Sequence, residues 1–233
     1  MESFPESYYQ TADVAGLLYQ NSLLEARLKR YPPFLMLGEN PAFQKLGSDS
    51  GFADLRLRQG PLSEVFANEN VEAILTDSAL ITQIWSTVEP NLDDLNQYLV
   101  TGISPQFSDE TLYGRWSFNA SASAASLRKE RPTISSKEMK RTRQLLEYNF
   151  GRAALVVGTE ESLVAKNFSP RAGDPNQENA PTDRSTGRWR TSGDDYKLIF
   201  EAGGKELRLD GVVQGERLTV TGMQFPLVFD RDA

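Results

Sequence analysis

Three pairs of adjacent carboxylates are the groups in this sequence best suited to chemistry: Asp93-Asp94, Glu160-Glu161 and Asp194-Asp195. Neighbouring carboxylates can bind a hard cation or divide the roles of general acid and base. Successive residues of a strand point to opposite faces, however. Each pair also falls at an expected turn or helix start, where capping and turn formation account for it. The chain has no histidine and no cysteine. Their absence excludes disulfides, thiol nucleophiles, Ser-His-Asp and Cys-His triads and the usual zinc ligand sets. The sequence holds no EF-hand spacing, Walker loop or dinucleotide fingerprint. Gly151-Arg152-Ala153-Ala154-Leu155 precedes an expected strand rather than opening a helix, so it forms no phosphate loop. The chain therefore reads as a non-enzymatic protein that needs no cofactor or metal.

The triplet Gly-Arg-Trp occurs twice, at 114–116 and 187–189. In a small barrel a glycine lets the strand bend, and a tryptophan can plug the closed end beneath an arginine that covers its ring. Two readings follow. Either both indoles pack in a dry core, or they line a site for a small apolar ligand formed by Trp116, Trp189, Tyr196 and Phe200. Asn119-Ala120-Ser121 and Asn167-Phe168-Ser169 match the glycosylation triplet, which recurs often by chance.

Charge divides the chain. Residues 1–111 carry 16 acids and 6 bases, while residues 112–233 carry 16 acids and 19 bases. The acidic first half argues against a nucleic-acid partner, which requires clustered Lys and Arg. The one basic cluster, Arg128 to Arg143, is interrupted by Glu130 and Glu138 and reads as a solvated helix face. No stretch reaches the ~20 apolar residues of a membrane span.

The elements that must carry these residues change period near residue 111. In the first half, Val14, Leu17, Leu18, Leu24 and Leu28 predict a helix over 10–31 that ends before Pro32-Pro33. Two similar segments follow, 28 residues apart. Asn40 and Asn68 each cap a short helix, with Phe43 and Leu46 or Val71 and Ile74 facing inward. Asp49 and Asp77 then each cap the next helix, carrying Phe52 or Leu80. Further short amphipathic turns fall at 61–67 and 91–100. This half is expected to be an array of short helices with a local duplication.

The second half reads as strands over 112–118, 153–157, 163–168, 188–191, 196–201, 205–213, 217–221 and 226–230, separated by Gly-rich turns. One helix over 136–149 interrupts them, opened by a capping box from Ser135 and Glu138. Residues 169–186, polar and rich in Pro, Asn and Asp, read as a flexible loop. The fold class is α+β: helices over 1–111, then a small antiparallel, lipocalin-like barrel of about eight strands over 112–233.

Two family resemblances bear on function. Gly114-Arg115-Trp116, the Gly-punctuated meander and the final Pro226-Leu227-Val228-Phe229-Asp230 resemble lipocalin-like small barrels. The inserted helix and the long loop depart from that pattern. The stretch from Ser7 to Leu18, with Asn40-Pro41 and the Asn68 repeat, resembles the region after the membrane helices in bacterial colicin V production (CvpA) family proteins. In longer members of that family this region runs into a Gly-Arg-Trp β region. No functional residue carries over, because the family's membrane part has no counterpart in these residues. The likeness implies a bacterial, membrane-tethered, extracytoplasmic (periplasmic) domain with its Met1 end near the bilayer. The expected function is that of an interaction or scaffold domain for membrane or envelope proteins. The alternative is a module that binds a small apolar ligand inside the barrel.

Overall fold

A computed structural model describes Val14 and residues 21–168, 184–202 and 205–232. It divides into two compact units between Asp109 and Glu110.

The first unit is helical. Its described elements are α1 (Ser22–Leu28), α2 (Pro32–Gly38), α3 (Pro41–Gly47), α4 (Ser50–Leu57), α5 (Leu62–Phe66), α6 (Glu69–Thr76), α7 (Ser78–Val88) and α8 (Leu92–Thr101). A short 3-10 turn, Glu89–Asn91, joins α7 to α8. Val14 is helical, and the expected residues 10–13 and 15–20 lie outside the described ones. Asn21 is not helical, so the expected single helix over 10–31 is broken there; α1 ends at Leu28, with Lys29 and Arg30 in a turn, and the diproline follows. It also begins something the periodicity does not predict: Pro32 occupies the first turn of α2, where a missing N–H costs nothing.

The two similar segments open their helices with the expected caps. Asn40, Asp49, Asn68 and Asp77 each accept backbone N–H bonds at the start of α3, α4, α6 and α7. The helices then pair in nested order: α1 packs on α8, α2 on α7 and α3 on α6, while α4 and α5 form the turn-around. Asp49 ties the two segments together. Its second carboxylate oxygen accepts bonds from the side-chain amides of Asn68 (2.8 Å) and Asn70 (2.7 Å).

The centre of this unit is Tyr31, fully buried at the α1–α2 junction. Its ring meets Phe34, Tyr98 and Phe107 at 5.2–5.9 Å between centroids. Its hydroxyl donates to Asp94 at 2.8 Å. Asp94, buried on α8, also accepts from the Ser104 hydroxyl (2.7 Å) and the Gln106 N–H (3.0 Å). The pair Asp93-Asp94 is therefore more than a helix start. One carboxylate joins the α1–α2 junction, α8 and the segment after α8. Burial, followed by the bond to Asp94, pushes the Tyr31 phenol well above its usual range. At the end of α8, Arg27 of α1 donates to the carbonyls of Leu99 and Val100, and Gly102 takes the left-handed conformation (φ 80°) that closes the helix.

The second unit is a closed antiparallel barrel in simple up-and-down order: β1 (Gly114–Phe118), β2 (Ala154–Val157), β3 (Ser162–Lys166), β4 (Arg184–Ser192), β5 (Asp195–Ala202), β6 (Lys205–Gln214), β7 (Arg217–Thr221) and β8 (Leu227–Arg231). β8 pairs with β1 and closes the ring. The α+β class with an eight-strand barrel is as expected. Strand β4 begins at Arg184, so the end of the expected loop 169–186 belongs to the sheet. Residues 169–183 lie outside the described ones.

Two helices, not one, fill the connection from β1 to β2: α9 (Ala120–Glu130) and α10 (Ser136–Phe150), the latter with the expected capping box. Helix α9 has no stripe of large apolar residues, which is why its period escapes the sequence reading. Its buried face is Ala120, Ser123, Ala124 and Leu127. Small residues let it approach β8 closely. Where β1 stops, the backbone of Val228 still needs partners: its N–H donates to the Ser123 hydroxyl (2.8 Å), and its carbonyl accepts from the Asn119 N–H (2.8 Å). Asn119 of the glycosylation-like triplet thus serves as the N-cap of α9 and also donates to Asp230.

Asp94→Ala strands the Tyr31 and Ser104 hydroxyls in the core, and it is expected to destabilise the helical unit by about 2–4 kcal/mol, against about 1 kcal/mol for Tyr31→Phe. Urea unfolding followed by circular dichroism measures both. The Asn68 amide and the other donors around Asp49 hold its carboxyl down to about 2, below the usual 3.8. A folded-state value below the unfolded one means that this contribution is complete above about pH 4 and is lost as pH falls toward 2. The acid-unfolding profile of Asp49→Asn should lack that increment, and a profile identical to the parent would refute it.

Candidate functional site

The barrel interior follows strictly from the two-residue period. Trp116 lies opposite both Leu155 and Arg231; Leu163 opposite Gly187; Trp189 opposite Leu198; and Leu218 opposite Phe229. All except Gly187 and Arg231 belong to one buried cluster.

At the end where β1 begins, the segment Glu110–Tyr113 forms the floor. The Trp116 indole N–H donates to the Leu112 carbonyl at 2.9 Å. The guanidinium of Arg231 lies 4.2 Å from the centroid of the Trp116 ring. The same guanidinium donates to the carbonyls of Thr111 and Tyr113 and pairs with Glu216 at 2.9 Å. An arginine over tryptophan is as the Gly-Arg-Trp motif implies, but it comes from the last strand. Gly114 sits directly beneath it with φ 140°, and a Cβ there would lie 2.7 Å from the Arg231 guanidinium.

Tyr196 and Trp189 meet at this end, with centroids 5.9 Å apart, and Tyr113 stands edge-on to Trp189 at 5.7 Å. Their polar edges are occupied. The Trp189 indole donates to the Gly158 carbonyl at 3.0 Å. The Tyr196 hydroxyl donates to Glu110 at 2.5 Å and lies 3.0 Å from the Thr111 hydroxyl. Burial raises the phenols of Tyr196 and Tyr113; Glu110 adds to both, as a hydrogen-bond acceptor for Tyr196 and as a nearby charge for Tyr113. Burial also lowers Arg231, against the opposing pull of Glu216.

Phe200 is not part of this group. It lies four residues along β5, about 13 Å at strand spacing, with Leu198 between. Its ring packs on Phe168 at 5.7 Å, and Phe168 continues to Phe150 (5.9 Å) and Phe229 (6.4 Å). Gly187 is required here, because a Cβ would run into the Ile199 carbonyl and the Phe200 ring. Of the four residues proposed to line a ligand site, the structure brings Trp189 and Tyr196 into contact, places Trp116 beneath Arg231, and puts Phe200 in a separate phenylalanine stack.

Sequence reasoning passes over Arg231 and Glu110. Arg231 was legible: on β8 it continues the inward alternation Leu227, Phe229, Arg231, and an inward arginine needs a partner. Glu110 lies before the first strand, in no periodic element, and carries no such signal.

The other acidic pairs are surface turn residues. Glu160 and Glu161 both take positive φ (57° and 56°), and Glu161 pairs with Arg190. Asp194 and Asp195 sit at the β4–β5 turn. Among the described residues no group of three or more acidic side chains is placed to hold a metal ion. Nor is any described helix long and apolar enough to cross a membrane. Comparison with protein-family models, with characterised proteins and with solved structures finds no match.

Replacing Arg231 with methionine removes the cation over Trp116 and leaves the Thr111 and Tyr113 carbonyls without their donor. The expected cost is about 2–4 kcal/mol. It should be read from guanidinium unfolding, accompanied by a shift in tryptophan emission of the folded protein as the indole face opens.

Proposed function

We propose that this chain is a non-enzymatic interaction or scaffold domain of a bacterial membrane-associated protein, working on the extracytoplasmic side with membrane or envelope proteins as partners. The observation that carries this reading is the turn-around of the helical unit. Leu57 is 84% exposed, Leu62 and Phe66 are each 57% exposed and Leu75 is 49% exposed. They lie on α4, α5 and α6, which pack in succession. Single exposed leucines are ordinary, but apolar side chains gathered on adjacent helices mark contact surfaces. The likeness of the first half to the post-membrane region of CvpA proteins supports the location and the kind of partner. The lipocalin-like barrel, its inward side chains packed in one buried cluster, then acts as a support.

The half-buried Phe118, Leu207, Met223 and Phe225, packed against the barrel core, support a second reading as a holder of a small apolar ligand. They lie toward the phenylalanine end, away from the Glu110–Tyr113 floor.

A photo-crosslinking residue placed at Phe66 in bacterial cells should join the chain to one or a few envelope proteins, and the same residue at the exposed Asp194 should not. Equal or absent adducts at both positions would overturn the interaction reading. A saturable change in tryptophan emission on titration with a fatty acid would favour the second reading, and a flat titration would remove it.

A further inference from the structure

Helices α9 and α10 carry the basic cluster that the interaction reading leaves unused. Between Arg128 and Arg143 lie seven bases and two acids, in a chain of net charge −7. All seven bases are exposed. Lys29, Arg56, Lys197 and Arg231, among others, form ion pairs with Asp or Glu, but none of these seven does so among the described residues, although the Arg141 charge acts on Glu138. Of the two acids, Glu138 is already engaged: it accepts from the Ser135 N–H and hydroxyl, and these bonds hold its carboxyl below the usual range.

The face these cations occupy is defined by packing. Helix α10 buries Leu146 and Phe150, with Met139 and Thr142 half-buried on the same side. The opposite crest holds Lys137, Arg141, Gln144 and Tyr148, at helical spacings of four, three and four. Tyr148 is 88% exposed, and Leu145 on the crest's flank is 44% exposed. Lys140 and Arg143 lie to the other side of the crest, with the exposed Glu147 between them. Cations on flexible stems around an exposed aromatic and an aliphatic side chain are the composition of an interfacial helix. The ammonium and guanidinium groups meet phosphates while the ring and the leucine enter the headgroup boundary.

We infer that the outer face of α10, with the end of α9, rests on an anionic lipid surface, with Lys137, Lys140, Arg141 and Arg143 on the phosphates and Tyr148 inserted at headgroup level. A duplex nucleic acid is the competing polyanion. It has no use for an exposed leucine and tyrosine on the crest. The inference deepens the membrane-associated reading but rests on separate residues from the helical turn-around. A failure here leaves the Phe66 crosslink untouched, and the two fail separately.

Sedimentation of the full chain with phosphatidylcholine vesicles containing 30 mol% phosphatidylglycerol tests it, with pure phosphatidylcholine vesicles and a DNA duplex at the same salt concentration as comparisons. The chain should partition onto the anionic vesicles and be released by 0.5 M salt. Each cation neutralised should lower the partition by about fivefold, so that the quadruple change of Lys137, Lys140, Arg141 and Arg143 to Gln abolishes it. The four side chains are exposed, so the thermal unfolding of that variant should match the parent. Tyr148→Ala, which changes no charge, should weaken binding without altering its salt dependence. Equal binding to neutral vesicles, full binding by the quadruple variant, or binding to the duplex but not to vesicles would each overturn the inference.

Discussion

A guanidinium 4.2 Å from an indole centroid holds the barrel shut. Arg231 is the last residue of the last strand, and Trp116 lies in the first. The contact therefore does at the side-chain level what the β1–β8 ladder does at the backbone level. It also does more, because the arginine's remaining donors reach the carbonyls of Thr111 and Tyr113. Those bonds fold the segment before β1 across the barrel end. Glu110 is thereby placed to accept from Tyr196, and Tyr113 to pack on Trp189. Removing the arginine from this scheme takes two carbonyl bonds from the floor and exposes one face of an indole that is otherwise wholly buried.

The helical unit solves the same problem of joining distant segments with a carboxylate. Short helices of seven or eight residues have little stability of their own, and each of their ends leaves backbone groups unpaired. Asp and Asn caps answer the local need at α3, α4, α6 and α7. Asp49 and Asp94 go further, each binding groups far away in sequence. Asp49 links the two similar segments, and Asp94 links the two ends of the nested array. Both units therefore depend on charged side chains that are multiply hydrogen-bonded, which compensates for their partial desolvation.

The barrel is closed by its own floor at one end and stacked with phenylalanine at the other. Its outward features are the α9–α10 insertion and its exposed cations; those of the helical unit are the apolar side chains at the turn-around. Both are surface arrangements that no core requirement explains.

Much of this was written in local sequence. The capping residues Asn40, Asp49, Asn68, Asp77 and Ser135, the strand alternation and the Gly-Arg-Trp strands act over a few residues, so their geometry is legible from spacing alone. Helix α9 was not, because its buried stripe is made of Ala and Ser, whose burial depends on what lies against them. The extra role of Asp94 was hidden too, since an aspartate in the first turn of a helix looks the same whether it faces water or Tyr31. The site residues divide along the same line. That Trp116, Trp189, Tyr196 and Phe200 point inward follows from a period of two. That they separate into a floor, an aromatic pair and a phenylalanine stack depends on barrel closure, which brings Arg231 to Trp116 across 115 residues of chain. Side-chain direction is a local property of the backbone, whereas adjacency across a closed sheet exists only once every strand is in register.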